Sequence, residues 1–569
     1  MTQSLKKQLE LLGLKGSEKK LYPPKKRSQT LQNKKSINSA TNQKKYSKTT
    51  KGNSHKSNPE DKIPRGSLAK LMRDTYGTQN KPKVTKPLDR PVETPLIEFP
   101  LSLDDVWKHS HKANMLLLPT KGCAKQSLNW DGDVNIMDQI NVGFDFGTSA
   151  IKVMLRSSDE NLLPVQFTSD INNPYVLPSC LYVTDGNASL HQTPGAEAYQ
   201  NLKLSILEDN KSELDIVRAA VFIALALRLV RGWLFENYSN VYDGKYLFWE
   251  LNFGVPAVVH DNKKTMVIFK DLFELAYFVS TQNDVEINIG TVMNFWRQRS
   301  WESEDVSQKA QHTLSVVPEI AAQFLAVLKS DSWDQSHRLI SVVDIGAGTV
   351  DMGAFSITGK HGAPILHSLK TSVELNGVVN LHRDRINQML QTDSNANGAV
   401  KEYLKSLLEV SDFNKPIPDQ WTDYLSGTRL IQGIFNSDDE FDKHKYSSQV
   451  VGLLTDVKKH KYPNPEEWKS LPVLICGGGE STKLYKRLYD RYSKKVESRN
   501  MGFKVIPLIT PLKVRDSGLT DLTYKRMSLA YGLSFSFDLF PEFVRESDIS
   551  DFHKPANSNG VKMISKDDI

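Results

Sequence analysis

The 569-residue sequence has few cysteines and no long apolar run. Its three cysteines, Cys123, Cys180 and Cys476, are far apart and odd in number, so they indicate neither a disulfide framework nor a zinc cluster. The longest apolar stretch, near residues 219–229, is too short to cross a bilayer and contains Arg228. The N-terminus lacks the apolar core and cleavage site of a signal peptide. These absences predict a chain without a membrane span, located in the reducing cytoplasm.

Acidic, aromatic and large aliphatic residues are all scarce in the first 90 positions. This segment has 23 Lys and Arg against 6 Asp and Glu, whereas the net charge of the whole chain is only +7. Leucines at helical spacing predict a short helix at 3–14. Residues 15–90 cannot bury enough apolar surface to offset the entropy of ordering. We interpret residues 1–90 as a disordered basic arm; the alternative is an electrostatic tether, through 15–90, for nonspecific nucleic acid or another polyanion.

Two later segments, Asn141–Leu155 and Leu339–Ile357, follow one plan: a β-branched run, an Asp, a Gly/Thr turn and a second apolar run. The polar and small residues of the two turns are Asp145, Gly147, Thr148, Ser149, Asp344, Gly346, Ala347, Gly348, Thr349 and Asp351. Such turns bring backbone N–H groups and hydroxyls to an anion, and an Asp at the strand end can hold a hydrated cation. One turn of this kind is typical of an ordinary hairpin, but two in one chain predict a phosphate site.

A third segment runs from the apolar Leu471–Cys476 into Gly477, Gly478 and Gly479, and then through Ser481 into a helical pattern. With these three segments the sequence resembles the actin-like ATPase superfamily, and within it the nucleotide-binding domain of the seventy-kilodalton heat-shock chaperones. Asp145–Ser149 is similar to the first phosphate loop of that family, Asp344–Asp351 to the second, and Cys476–Ser481 to the adenosine loop. The resemblance covers about 140–540.

The resemblance implies an α/β fold with two lobes, each containing a ribonuclease-H-like mixed sheet flanked by helices, to which the disordered basic N-terminal arm is added. Residues 193–199 are similar to a helix start of the family. The expected ranges are the arm at 1–90 with its short helix at 3–14, a partly ordered segment packing on the body at 91–135, ATPase lobe I at 136–335, ATPase lobe II with the adenosine loop at 336–515, a closing helix at 516–545 and a disordered tail at 546–569.

The resemblance also implies a site for ATP or ADP with Mg²⁺. Asp145 and Asp344 would hold the magnesium ion, while Glu319 and Asp351 would order the attacking water. Lys203 would stabilise transition-state charge, although a surface lysine at a helix start is the alternative. The remaining groups would contact the nucleotide: Gly147, Thr148, Ser149, Gly346, Ala347, Gly348 and Thr349 at the phosphates, and Gly477, Gly478, Gly479 and Ser481 at the ribose and base. Besides contacting the phosphates, Thr349 is predicted to be one of the catalytic residues.

The predicted function is an ATP-binding, slowly ATP-hydrolysing conformational switch of the heat-shock-70-like chaperone type, acting on an unknown protein partner or client. A peptide-binding domain is not expected, because only about thirty polar residues follow the resemblance. Ile320 stands where these chaperones usually have a proline linked to interdomain signalling. The alternatives are a filament-forming actin-like protein, a nucleic-acid-associated ATPase that uses the basic arm, and a small-molecule kinase, for which no substrate constellation is visible.

Overall fold

The computed structural model describes 125–132, 137–168, 174–208, 211–282, 286–303, 312–330, 333–334, 336–360, 363–392, 398–408, 417–418, 424, 437–496 and 502–549. These residues belong to the compact unit formed by 81–569. The predicted arm with its helix at 3–14, most of the predicted packing segment at 91–135, and 550–569 of the predicted tail lie outside the described residues.

The strands are β1 (Met137–Phe146), β2 (Ala150–Ser157), β3 (Leu162–Pro164), β4 (Leu177–Pro178), β5 (Leu181–Thr184), β6 (Asn187–Ser189), β7 (Glu197–Tyr199), β8 (Tyr246–Val255), β9 (Ile287–Asn288), β10 (His312–Pro318), β11 (Leu339–Ile345), β12 (Val350–Lys360), β13 (Ala363–Glu374), β14 (Leu471–Cys476), β15 (Phe503–Ile506) and β16 (Glu542–Val544). The α-helices are α1 (Leu202–Leu207), α2 (Glu213–Asn237), α3 (Ser239–Tyr242), α4 (Ala257–Asp261), α5 (Lys263–Ser280), α6 (Ile289–Gln298), α7 (Glu319–Leu328), α8 (Val378–Thr392), α9 (Gly398–Leu408), α10 (Ser437–Phe441), α11 (Ser447–Asp456), α12 (Lys483–Val496), α13 (Leu512–Asp516) and α14 (Asp521–Leu533).

Two mixed sheets repeat one topology. The first has the order β10-β8-β1-β2-β3, and the second β15-β14-β11-β12-β13 with β16 added at its edge. In each sheet the strand that enters the Gly/Thr turn is antiparallel to the strand that leaves it and parallel to its other neighbour. This is the ribonuclease-H-like arrangement. The predicted α/β fold class with two such lobes is therefore confirmed.

Helices cover the first sheet because its central strands have almost no solvent-exposed face. The last seven residues of β1 are all buried, as expected of a strand with packed layers on both sides. The long helix α2 is buried along most of its length, and its N-terminus has a capping box between Ser212 and Asp215. The rings of Phe253 on β8 and Phe273 on α5 stack at 4.1 Å. The first sheet thus forms the centre of one apolar core.

A small sheet of order β7-β5-β6-β9 lies apart from the two large sheets. The helix start expected at 193–199 is wrong, because this segment forms a turn followed by β7. Gly195 has a φ of +81°, which suits a glycine turn rather than a first helical residue. The edge of β5 then pairs with Glu197, Ala198 and Tyr199.

Helices α7 and α14 pack against each other where the two lobes meet. A Cβ atom added to Gly532 of α14 would lie 2.0 Å from the carbonyl oxygen of Ala322 in α7. A Cβ atom added to Gly143 of β1 would lie 2.1 Å from the carbonyl oxygen of Ala530. Both distances are far below van der Waals contact, so each glycine permits a direct backbone approach. Helix α14 is thereby held against both α7 and the first sheet.

Residues 125–132 lie on the edge of the first lobe. The indole N–H of Trp249 donates to the carbonyl of Gln126 at 2.9 Å, and the backbone N–H of Leu247 donates to Ser127 Oγ at 2.9 Å. The rings of Trp130 and Tyr246 meet edge to face at 4.9 Å. Within the described part of the chain, no helix combines the length and apolarity needed to cross a bilayer.

Candidate functional site

The two Gly/Thr turns and the triple-glycine loop surround one cavity of about 560 Å³. All of the predicted site residues except Gly348 line it. Gly348 is nevertheless close to the opposite turn, because a Cβ atom added to it would lie 3.4 Å from Thr148 Cγ2. The turns of the two lobes therefore face each other across the cavity, less than the length of a nucleotide apart.

The first turn places an ion pair in the cavity wall. Asp145 lies directly opposite Lys152 in the β1–β2 register, and Lys152 Nζ is 2.5 Å from Asp145 Oδ2. Asp145 is only 3% exposed. The turn is closed by the backbone N–H of Gly147, which donates to the carbonyl of Ala150 at 3.2 Å. Asp145 is therefore a partnered, buried carboxylate at the cavity rather than a solvent-exposed turn residue.

The second turn has two carboxylates at the equivalent positions. Asp344 lies directly opposite Asp351 in the β11–β12 register. Burial, followed by the negative charges of Glu319 and Asp145, raises the pKa of Asp344 to about 7. Burial and the neighbouring Glu319 carboxylate also raise the pKa of Asp351 well above its ordinary value. A bound cation would stabilise the ionised forms of both carboxyl groups, so this wall favours cation binding.

Lys203 and Glu319 form a buried ion pair between α1 and the first residue of α7. They are 5% and 4% exposed, respectively, so the interpretation of Lys203 as a surface lysine is wrong. Burial acts to lower the pKa of Lys203, but the carboxylates of Glu319 and Asp351 outweigh it and leave the pKa raised. Lys203 is therefore a cation at the cavity wall at neutral pH.

The triple-glycine loop rests directly on the second turn. Gly477 has a φ of +85°, and a Cβ atom there would lie 2.1 Å from Asp344 Oδ1. The backbone N–H of Gly479 donates to the carbonyl of Ile345 at 2.8 Å. After the glycines, the buried Glu480 pairs with Lys486 at 2.5 Å and with Lys525 at 3.1 Å. Only glycine suits position 477, because both the backbone conformation and the contact with Asp344 exclude a side chain.

Sequence reasoning missed several residues that line the same cavity. They include Lys152, Gln323, Val378, Val379, His382, Ile417, Glu480, Leu522, Lys525, Arg526 and Met527. The position of Lys152 could have been found, because it is the residue of the first hairpin that corresponds to Asp351 in the second. Most of the others come from α8 and α14, whose contribution depends on tertiary packing and not on a local motif.

His382 on α8 links the cavity wall to the helical part of the second lobe. Its Nδ1 lies 2.8 Å from the hydroxyl of Tyr424, and its Nε2 lies 3.2 Å from the carbonyl of Leu407. A neutral ring satisfies both contacts, with Nε2–H donating to the carbonyl and Nδ1 accepting from the hydroxyl. Burial, aided by the nearby Arg385 and Arg383, lowers the pKa of His382 to about 4.

This buried histidine predicts a loss of stability in mild acid. Between pH 6.5 and about 4 the unfolded chain binds a proton at this ring that the folded chain does not bind, so the free energy of unfolding falls as the pH falls. The expected loss from this group is roughly 2 kcal/mol between pH 7 and pH 5. Urea unfolding at the two pH values should show this loss in the wild type and a smaller loss in His382→Gln.

The matched control is His444→Gln, which alters an exposed histidine. It should keep the wild-type dependence of stability on pH. If His382→Gln and the wild type lose the same free energy of unfolding between pH 7 and pH 5, His382 does not cause the loss.

The donor set of the cavity suits a cation that keeps much of its water. Among the described residues, no three His, Cys, Asp or Glu side chains are placed to hold a metal ion together. Asp145 and Asp344 nevertheless approach the cavity from opposite lobes. Mg²⁺ is usually held by one or two carboxylates together with water and substrate phosphates. The residues present therefore fit magnesium that enters with a phosphate ligand.

No protein-family model matches this chain, and no curated protein matches it. Among solved structures, it is similar to MreB5 of Spiroplasma citri bound to ADP, with a TM-score of 0.34 and 11% sequence identity over 70% of this chain and 94% of the other. The order and direction of the strands, and not this likeness, define the fold.

Proposed function

We propose that this chain binds ATP or ADP with Mg²⁺ in the cavity between its lobes and slowly hydrolyses ATP, as a conformational switch of the actin-like ATPase superfamily. One observation carries the proposal: two Asp/Gly/Thr turns from equivalent hairpins face each other on one cavity, with a glycine loop at its side. The cavity volume of about 560 Å³ is within the range of small-molecule sites.

The phosphates would lie between the two turns. Backbone N–H groups near Gly147 and Gly346 and the hydroxyls of Thr148, Ser149 and Thr349 would donate to phosphate oxygens. Lys152 and Lys203 would supply positive charge. The glycine loop, with Gly478 and Ser481 at the cavity wall, would flank the ribose and base.

Magnesium, when bound, would supply positive charge that offsets the negative charge of the γ-phosphoryl group. Asp145 and Asp344 would hold it, mostly through its water shell. Glu319 and Asp351 would accept hydrogen bonds from the attacking water and orient it, while Lys203 would stabilise the charge of the transition state. The products would be ADP and inorganic phosphate.

A nucleotide in this position would contact both lobes at once. Helices α7 and α14 lie where the lobes meet, so a change in the phosphate contacts would alter how the lobes pack together. We infer a switch of the heat-shock-70-like chaperone type that acts on a protein partner. A cytoplasmic location, and a polyanion bound by 15–90, stay predictions.

Calorimetric titration of the full chain with ATP and ADP, each with and without Mg²⁺, tests this function, together with phosphate release. We expect saturable binding that is strengthened by Mg²⁺, and slow release of phosphate from ATP. No binding up to about 1 mM nucleotide, which corresponds to about −4 kcal/mol, would contradict the proposal. A concentration-dependent rise in light scattering with ATP would favour the filament-forming alternative over the chaperone type.

A further inference from the structure

Gln323 is a buried amide that lines the cavity without a protein partner. It is 1% exposed, and among the described residues neither its Oε1 nor its Nε2 atom has a hydrogen-bond partner. An unpartnered amide in the interior is costly, with a penalty of about 1–3 kcal/mol from mutational data. An apolar side chain of similar size would avoid this penalty. A ligand or water molecule that enters the cavity would supply the hydrogen bonds that the amide lacks.

The position of Gln323 on α7 places it beside the predicted chemistry. It follows Glu319 by four residues, so the two side chains lie on one face of the helix, and both line the cavity. The other faces of α7 are already used in packing: Ile320 and Phe324 belong to the apolar cluster that includes the second sheet, and Ala321 and Ala322 pack against α14. Gln323 thus belongs to the cavity face of the helix.

The same wall has a second buried polar atom without a protein partner. Asp351 Oδ1 has none among the described residues, and Asp351 is only 6% exposed. One side of Glu319 is also occupied by Lys203. The amide of Gln323 supplies both a donor and an acceptor, whereas the neighbouring carboxylates are acceptors when ionised. Together these groups could hold a water molecule next to an anion.

We propose that the side chain of Gln323 orients the attacking water against the γ-phosphoryl group of ATP, with Oε1 accepting from the water and Nε2–H donating to a γ-phosphoryl oxygen. This inference rests on the proposed function. It assigns Gln323 to the hydrolysis step and not to the binding of ADP, because ADP has no γ-phosphoryl group. The chain would then use an amide and two carboxylates, Glu319 and Asp351, around one water.

The test compares Gln323→Leu and Gln323→Met with the wild-type full chain. Both variants remove the donor and the acceptor at similar volume, and replacing an unpartnered amide should leave the melting temperature equal or higher. We expect single-turnover hydrolysis of MgATP to fall about 10- to 100-fold, less than the roughly 10²–10⁴-fold typical of a general acid or base, because the amide orients the water without taking its proton. The Kd for MgADP should stay within about threefold of the wild-type value, so the change appears in kcat rather than in binding.

Tyr524→Phe is the matched control. The Tyr524 hydroxyl is also buried and without a partner among the described residues, but it does not line the cavity. Its removal should leave turnover and the Kd for MgADP unchanged. Turnover within about twofold of wild type in both Gln323 variants would overturn the inference, and so would a parallel loss of MgADP binding, which would indicate a structural role. A wild-type chain that binds no nucleotide would instead overturn the proposed function itself.

Discussion

Asp344→Asn should reduce ATP hydrolysis by about 100-fold or more while leaving the protein folded. The reduction follows from the proposed role of Asp344 at the magnesium ion, because an amide is a much weaker ligand for this cation than a carboxylate. Electrostatic groups at the developing charge commonly contribute 10²–10³ in kcat. Single-turnover phosphate release at several Mg²⁺ concentrations measures the effect.

The fold should tolerate this substitution because asparagine keeps the shape of the side chain. It also removes a buried carboxyl group from a cavity wall that contains Asp145, Glu319 and Asp351, so the melting temperature of the ligand-free protein should not fall. Affinity for ATP measured without metal should be nearly unchanged. The variant should lose most of the gain in affinity that Mg²⁺ gives the wild type.

Asp516→Asn provides the control, since Asp516 is exposed at the end of α13 and does not line the cavity. It should hydrolyse ATP at the wild-type rate. Asp344→Asn with turnover within about threefold of wild type would refute the role assigned to Asp344.

The largest expected effect on stability comes from Gly532→Ala. A Cβ atom at this position would lie 2.0 Å from the Ala322 carbonyl oxygen, and a backbone atom cannot move aside as the end of a flexible side chain can. Helices α7 and α14 would have to separate. Overpacking a core usually costs about 1–3 kcal/mol and occasionally more, and we expect at least about 3 kcal/mol here because the overlap is with backbone. Thermal or urea unfolding measures the loss.

Gly452→Ala is the matched substitution on α11. Gly452 is also within a helix, but it is exposed and an added Cβ atom would meet nothing within 4 Å. Alanine should stabilise the protein there by about 0.5–1 kcal/mol, because glycine is the poorer helix former. If Gly532→Ala lowers the free energy of unfolding and Gly452→Ala raises it, the loss is due to the contact between α7 and α14. Equal changes in the two variants would contradict this explanation.

The fold class could be predicted from the sequence because its central strands carry local signals. The β-branched runs before Asp145 and Asp344 and the glycine turns after them indicate two equivalent hairpins, and the structure places them in sheets of the same order. The segment at 193–199 shows the limit of such patterns. Its local pattern is similar to a helix start, but the segment pairs with β5 as a strand, and this pairing depends on tertiary structure.

The cavity could be predicted only in part. Residues next to glycine turns, such as Thr148 and Gly479, are marked by local composition. Gln323 and His382 are not, because each lies in an ordinary helical pattern and reaches the cavity through the packing of α7 and α8. Lys152 is an intermediate case, since its contact with Asp145 follows from the hairpin register and not from the turn itself.

The two hairpins also make the two sides of the cavity chemically different. Their strands have the same order and pairing directions, yet the position opposite the strand-end Asp holds Lys152 in one hairpin and Asp351 in the other. An elongated anion lying between the two hairpins would meet the cation of Lys152 on one side and the carboxyl group of Asp351 on the other. Only one of the two orientations of such an anion would put its more highly charged end beside Lys152. The difference between Lys152 and Asp351 alone therefore makes the two sides of the cavity unequal for an anion.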